Sequence, residues 1–160
     1  MSQTTLETPT DLLRFQLRTA MTMEDDSLAA LAELEQAAKS PEVKKMFRHH
    51  ADETKEQIEN LRKVFAVLEI PESTAASPST KGISKQAEGL IARSAPALRD
   101  QVTLSAALGN EHYEISAYQS LILATRAQGA ADAVALLTDN LDQETHTSEE
   151  LAKKLEELIG

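Results

Sequence analysis

Apolar residues recur along this chain at alternating spacings of three and four, the rhythm of one face of an α-helix. Four such stripes run along it. The first passes through Leu13, Leu17, Met21, Leu28 and Leu31, and the second through Met46, Leu61, Val64 and Leu68. The third holds Leu104, Leu108, Ile115, Tyr118 and Ile122, and the fourth Val134, Leu137, Leu141, Leu151, Leu155 and Leu158. Punctuation between them is sparse. Thr8-Pro9-Thr10-Asp11 reads as a helix start, Ser40-Pro41-Glu42 as a second with Ser40 at the N-cap, and Ser94-Ala95-Pro96 as a third. Gly129 suits the left-handed residue that closes a helix. The pattern predicts four helices over about 10–39, 41–69, 96–128 and 130–158. Pro, Ser and Thr crowd the start of residues 70–95, which predicts a long connection carrying a short helix near 83–92. Two tight turns and one 26-residue crossover give an all-α four-helix bundle, a single domain over residues 1–160. Its second and third bundle helices are expected to run parallel.

Each stripe is interrupted near its middle by a glutamate: Glu24, Glu53, Glu111 and Glu144. The interruptions also sit at matching heights. Glu24 lies 16 residues before the Ser40 turn and Glu53 lies 13 after it; Glu111 lies 18 before Gly129 and Glu144 lies 15 after it. At ~1.5 Å per residue each hairpin pair is offset by only about 4–5 Å, less than one turn. One glutamate on a helix stripe is ordinarily a boundary residue whose carboxylate reaches water. Four at one level are a different matter, because unpaired carboxylates in a dry core cost several kcal/mol each or take up protons. No Lys or Arg occupies a stripe position near them. Interior glutamates bridging two divalent cations are a common natural remedy. His50, one turn before Glu53, is a candidate nitrogen ligand and equally a candidate core histidine; His49 is a weaker one. Glu114, one turn after Glu111, is either a second carboxylate from the third bundle helix or an exposed residue. Tyr118 reads as a core aromatic, and His112 and His146 point away from the stripes.

Composition narrows the chemistry. Ala and Leu supply 45 of the 160 residues and aromatics only 3%, a mixture rich in helix formers and poor in strand formers. With 26 acidic against 16 basic residues the net charge is −10, which argues against nucleic acid and anionic membranes as partners. The absence of cysteine excludes thiol catalysis, thiolate-held metals and iron–sulfur clusters. Any metal here must be held by oxygen and imidazole, a donor set that suits iron, manganese or zinc. No apolar run reaches the length of a membrane span, and Met1-Ser2-Gln3-Thr4-Thr5 lacks the basic start and apolar run of a signal peptide. A soluble cytoplasmic protein is expected.

Several runs are specific enough to compare with known families. The second helix carries Ser40-Pro41-Glu42-Val43-Lys44 and then Phe47-x-x-His50-x-x-Glu53-Thr54-Lys55-x-Gln57. The connection carries Glu88-Gly89-Leu90-Ile91, and the third bundle helix Glu111-His112-Tyr113-Glu114-Ile115-Ser116-Ala117-Tyr118. The fourth carries Leu136-Leu137-x-x-x-Leu141-Asp142-x-Glu144. Across residues 10–155 these runs resemble the bacterial YciE/YciF ferritin-like proteins, a domain of unknown function associated with stress responses. The resemblance implies a ferritin-like bundle, a homodimer, and a di-iron or di-manganese centre, with zinc as a further option. Its ligands would be Glu24, His50, Glu53, Glu111, Glu114 and Glu144, and oxygen or peroxide would meet the metals in oxidase or peroxide-scavenging chemistry. The chain also departs from the pattern. The usual ferritin-like constellation has a Glu-x-x-His on each of two helices. Here the second helix reverses the order, Thr147 stands where the fourth-helix histidine would fall, Ser148 where relatives carry an acid, and Met21 where tyrosine is common. These departures motivate an alternative, a metal-free bundle acting as a structural or interaction protein with a decayed site. Nothing resembles the extra C-terminal helix of iron-storage cages.

Overall fold

The computed structural model describes residues 3–160, which contain helices and no strand. Helix α1 spans Pro9–Ala37, α2 Pro41–Val67, α3 Pro78–Arg93, α4 Arg99–Ala127 and α5 Ala131–Ile159. A single 3₁₀ turn, Pro96–Leu98, leads into α4. The first two helices start as the sequence reads. Thr8 Oγ1 accepts from the Asp11 N–H at 3.1 Å while Asp11 accepts from the Thr8 N–H at 3.0 Å, a reciprocal cap that satisfies two otherwise orphaned donors. Ser40 caps α2 by accepting from the Val43 N–H at 3.4 Å. The α1–α2 turn is also held from outside. Asp100, in the first turn of α4, accepts from the Lys39 N–H at 2.6 Å and the Ser40 N–H at 3.1 Å. One carboxylate thus ties the two hairpins together at that end of the bundle.

Helix ends carry the corrections to the expected bounds. α2 stops at Val67 because Glu69 turns left-handed, with φ 56°, and the Ile70 N–H donates back to the Phe65 carbonyl at 2.9 Å. Gly129 fills the same role after α4 with φ 74°. α3 begins at Pro78, earlier than the expected 83, so residues read as loop formers make a helix start instead. Pro78 occupies the first turn, and Thr80 Oγ1 donates to Asp26 Oδ2 of α1 at 2.8 Å. Lys81 ion-pairs with the same carboxylate, which docks the crossover helix onto α1.

α1 packs against α2 and α4, and α5 packs against α4 and α2, giving a square with α1/α5 and α2/α4 on its diagonals. α3 lies outside the square, across α1 and α4. The interior is two apolar bodies rather than one. The first gathers Leu13, Leu17, Leu61, Phe65, Leu121 and Leu137; the second gathers Leu31, Leu34, Phe47, Leu104 and Leu151. Residues of the first cluster come early in α1 and α5 and late in α2 and α4, so α2 and α4 are parallel, as the crossover requires. The buried faces are wider than the expected stripes. Leu28, Met46, Leu108, Ile115, Val134, Leu141 and Leu155 are only partly buried and Leu158 is exposed, while Val43, Phe47 and Ala107 lie inside. A helix at the corner of a square touches two neighbours, and a 3.6-residue period drifts off any strict heptad over eight turns. Among the described residues no helix is long and apolar enough to cross a membrane.

Candidate metal centre

Between the two apolar bodies lies a polar layer. Glu24, His50, Gln57, Glu111, Glu114, Asn140, Glu144, Thr147 and Ser148 are all buried there. Its tightest grouping is acidic: one carboxylate oxygen each from Glu24, Glu114 and Glu144 lie within 4.8 Å of one another. These side chains come from α1, α4 and α5, so the group contains neither of the hairpin pairs matched by height in the sequence: Glu114 stands in it, while Glu53 and Glu111 do not.

A hydrogen-bond relay through all four bundle helices holds the first of them. Tyr118 of α4, fully buried, donates its hydroxyl to Glu24 Oε1. Asn140 of α5 donates to the Tyr118 hydroxyl at 3.1 Å and to the Gln57 carbonyl of α2 at 3.2 Å. Asn60 of α2 donates to Asn140 Oδ1 at 2.9 Å. Glu111, one turn from Glu114, neighbours Glu144, as do Glu114 and Gln57. His50 is 3% exposed, and neither of its ring nitrogens has a hydrogen-bond partner. Glu53 sits at the α2–α5 edge with its side chain 16% exposed, and His49 Nε2 lies 3.2 Å from its Oε1.

Burial dominates the electrostatics. It pushes Glu24, Glu111 and Glu114 well above the ordinary carboxylate range, and the negative charge of neighbouring glutamates adds to the push. Glu144 is raised by burial but partly relieved by bonds with Glu111, Glu114 and Gln57. Burial also raises Glu53. Tyr118 is raised by burial and by the Glu24 charge. His50 is depressed to about 4, by burial first and then by the positive fields of His49 and His146.

Uncompensated acceptors make the layer a fit for cations. Glu24 Oε2, Glu111 Oε2 and Glu114 Oε1 lack hydrogen-bond partners in the protein, as do both nitrogens of His50. Among the described residues no Lys or Arg is buried. Buried polar atoms left this way are rare and costly. An oxygen-rich set with one imidazole matches the preferences of iron, manganese and zinc.

The expected site residues therefore fall into a close group and a looser one. Glu24, Glu114 and Glu144 converge, which settles the burial of Glu114 that the sequence left open. Glu111 adjoins them through Glu144, whereas His50 and Glu53 flank the layer from α2. His49, His112 and His146 are exposed. Thr147 and Ser148 occupy the layer without offering a nitrogen or a carboxylate, and Ser148 Oγ donates to its own helix at the Thr145 carbonyl, 2.7 Å away. Asn140 escaped the sequence reading, although it stands one turn before Glu144 on the same face. Tyr118 proves to be more than a core aromatic, since its hydroxyl is bonded on both sides.

Residues 8–160 match the family described as a domain of unknown function, DUF892. No curated protein matches the chain. Among solved structures, YcfI from Rhodopseudomonas palustris aligns with a TM-score of 0.91 at 29% identity, over 95% of this chain and 98% of that one. The Escherichia coli stress protein YciF aligns at 0.87 and 25% identity, over 96% and 98%. Symerythrin from Cyanophora paradoxa aligns at 0.70 and 18% identity, over 100% and 90%, and bears on the fold alone, which is ferritin-like.

Proposed function

Because this chain belongs to the DUF892 family of YciF-type ferritin-like proteins, we propose that it binds two divalent cations, iron or manganese, between its apolar halves and acts in a bacterial stress response. One observation carries the reading: three buried carboxylates converge, Glu24 Oε2 and Glu114 Oε1 lack hydrogen-bond partners, and among the described residues no buried cationic side chain neutralises them. Glu24, Glu114 and Glu144 would hold one ion, and Glu111, Glu144, His50 and Glu53 the other. Such a pair, when bound, supplies redox chemistry toward oxygen or peroxide that side chains alone cannot. The chain's own contribution is preorganisation. Tyr118 and Asn140 fix the rotamer of Glu24, and the two apolar bodies exclude bulk water above and below. The stress assignment is supported by the likeness to YciF, itself described as a stress protein. The reading extends to a homodimer in the cytoplasm, checked by sedimentation velocity and by cell fractionation.

Metal analysis of protein purified without chelator tests the reading directly. The wild type is expected to carry iron or manganese and the Glu114→Gln, Glu144→Gln double variant little or none. Equal, negligible metal in both overturns it. Thr147 and Ser148 favour a second reading, a metal-free interaction protein whose carboxyl groups share protons. In that case added Fe(II) or Mn(II) leaves the melting temperature unchanged, whereas a binder gains stability by mass action.

A further inference from the structure

Crossover helix α3 roofs a cavity of about 30 Å³ between α1 and α4. Its surface is mainly apolar, from Ala30, Leu31 and Leu34 of α1, Ala87 of α3 and Ala107 of α4, with hydroxyls added by Ser27, Thr80 and Ser84. Where it meets the carboxylate layer the lining turns polar. Glu111 belongs to that lining, 4% exposed and with Oε2 unpartnered, and beside it Asn110 Nδ2 donates to Ser27 Oγ at 3.2 Å. A volume of this size holds about two water molecules or one diatomic, and apolar cavities stay dry and accept apolar guests. Interiors normally fill such space, because each void forfeits contacts. Alanine recurs on all three helices around this void, where a larger side chain would close it. Asp26, Glu33 and Glu88 on the lining place negative charge against any anion.

We propose that this cavity binds a neutral, apolar diatomic gas, dioxygen by size, and passes it to the carboxylate layer at Glu111. Delivery to a metal centre rests on the function proposed above; binding of the gas does not. The surface favours dioxygen over peroxide, because it is mainly apolar and its polar groups are largely paired already, Thr80 with Asp26 and Asn110 with Ser27.

Xenon is the probe. Full-length, methyl-labelled protein under xenon pressure should show saturable shifts at Ala30, Leu31, Leu34, Ala87 and Ala107, several-fold weaker in Ala107→Val. Ala87→Leu fills the same space from the roof and serves if the first variant fails to fold. Absent shifts, or shifts unchanged in the filled variants, overturn the proposal. In Fe(II)-loaded protein, Ala107→Val should slow oxidation by dioxygen several-fold, leaving oxidation by peroxide and the metal content as in wild type. Equal slowing of both oxidants overturns the delivery route. Xenon binding in a protein that takes up no metal would overturn the metal reading and leave the gas site standing.

Discussion

Glu144 illustrates the conflict between stability and binding at single positions. Without metal its carboxylate is buried among other acids, so the isosteric Glu144→Gln removes an uncompensated charge. The metal-free variant is expected to be more stable by about 1–3 kcal/mol, at roughly 2–4 °C of melting temperature per kcal/mol, while losing metal. Calorimetry with chelator and metal analysis without it check the two halves. Tyr118→Phe should act in the opposite sense. It strips Glu24 of its hydroxyl donor and Asn140 of an acceptor, and chemical denaturation should report a loss of about 1–3 kcal/mol. Glu24, Glu111 and Glu144 were legible in the sequence because each breaks an apolar stripe at a countable height. Glu114 was not. It lies about 60° around α4 from Glu111, and whether that angle faces water or a neighbour depends on where α1 packs, which no single-helix pattern encodes.

At the scale of helices, starts were more legible than ends. Pro9 and Pro41 after their caps announced α1 and α2, but Pro78 was lost among loop-forming neighbours because its anchor, Asp26, is remote in sequence. Glu69 marks an end that the sequence conceals, since a left-handed non-glycine has no signature. Glu69→Gly should stabilise the chain by about 0.5–1 kcal/mol by relieving that backbone, measured by thermal melting. Glycine's added freedom in the unfolded chain offsets part of the gain. On α5, Thr147 is buried one turn after Glu144. Thr147→His restores the Glu-x-x-His order on that helix and should tighten metal binding, read by titration calorimetry; unchanged affinity would place Thr147 outside the ligand sphere.

For the whole molecule, the buried acids set the pH dependence of the metal-free state. Burial and neighbouring negative charge raise Glu24, Glu111 and Glu114 well above their ordinary 4.5, so above that pH the folded protein binds more protons than the unfolded chain. Their contribution is complete below about 4.5 and is lost as the pH rises through the raised values. His50 works oppositely, adding stability as the pH rises from about 4 to 6.5, but it is one group against several. Metal-free protein should therefore melt lower at pH 8 than at pH 5.5, and the Glu111→Gln, Glu144→Gln variant should flatten the slope. Metal reverses it, because ligation requires deprotonated carboxylates. The four-helix bundle and its parallel α2 and α4 followed from loop lengths; their place on a diagonal and the division of the core into two apolar bodies did not, because both depend on which stripe residues turn inward.

That division gives a bound cation a mechanical meaning. Glu24 stands in the first helix and Glu144 in the last, so an ion gripped by both, with Glu114, ties chain segments far apart in sequence. A chain without cysteine thereby acquires the equivalent of a long-range staple, worth about 4–5 kcal/mol in loop entropy on the scale of disulfides. A chelator, rather than a reductant, is the reagent that would unfasten it.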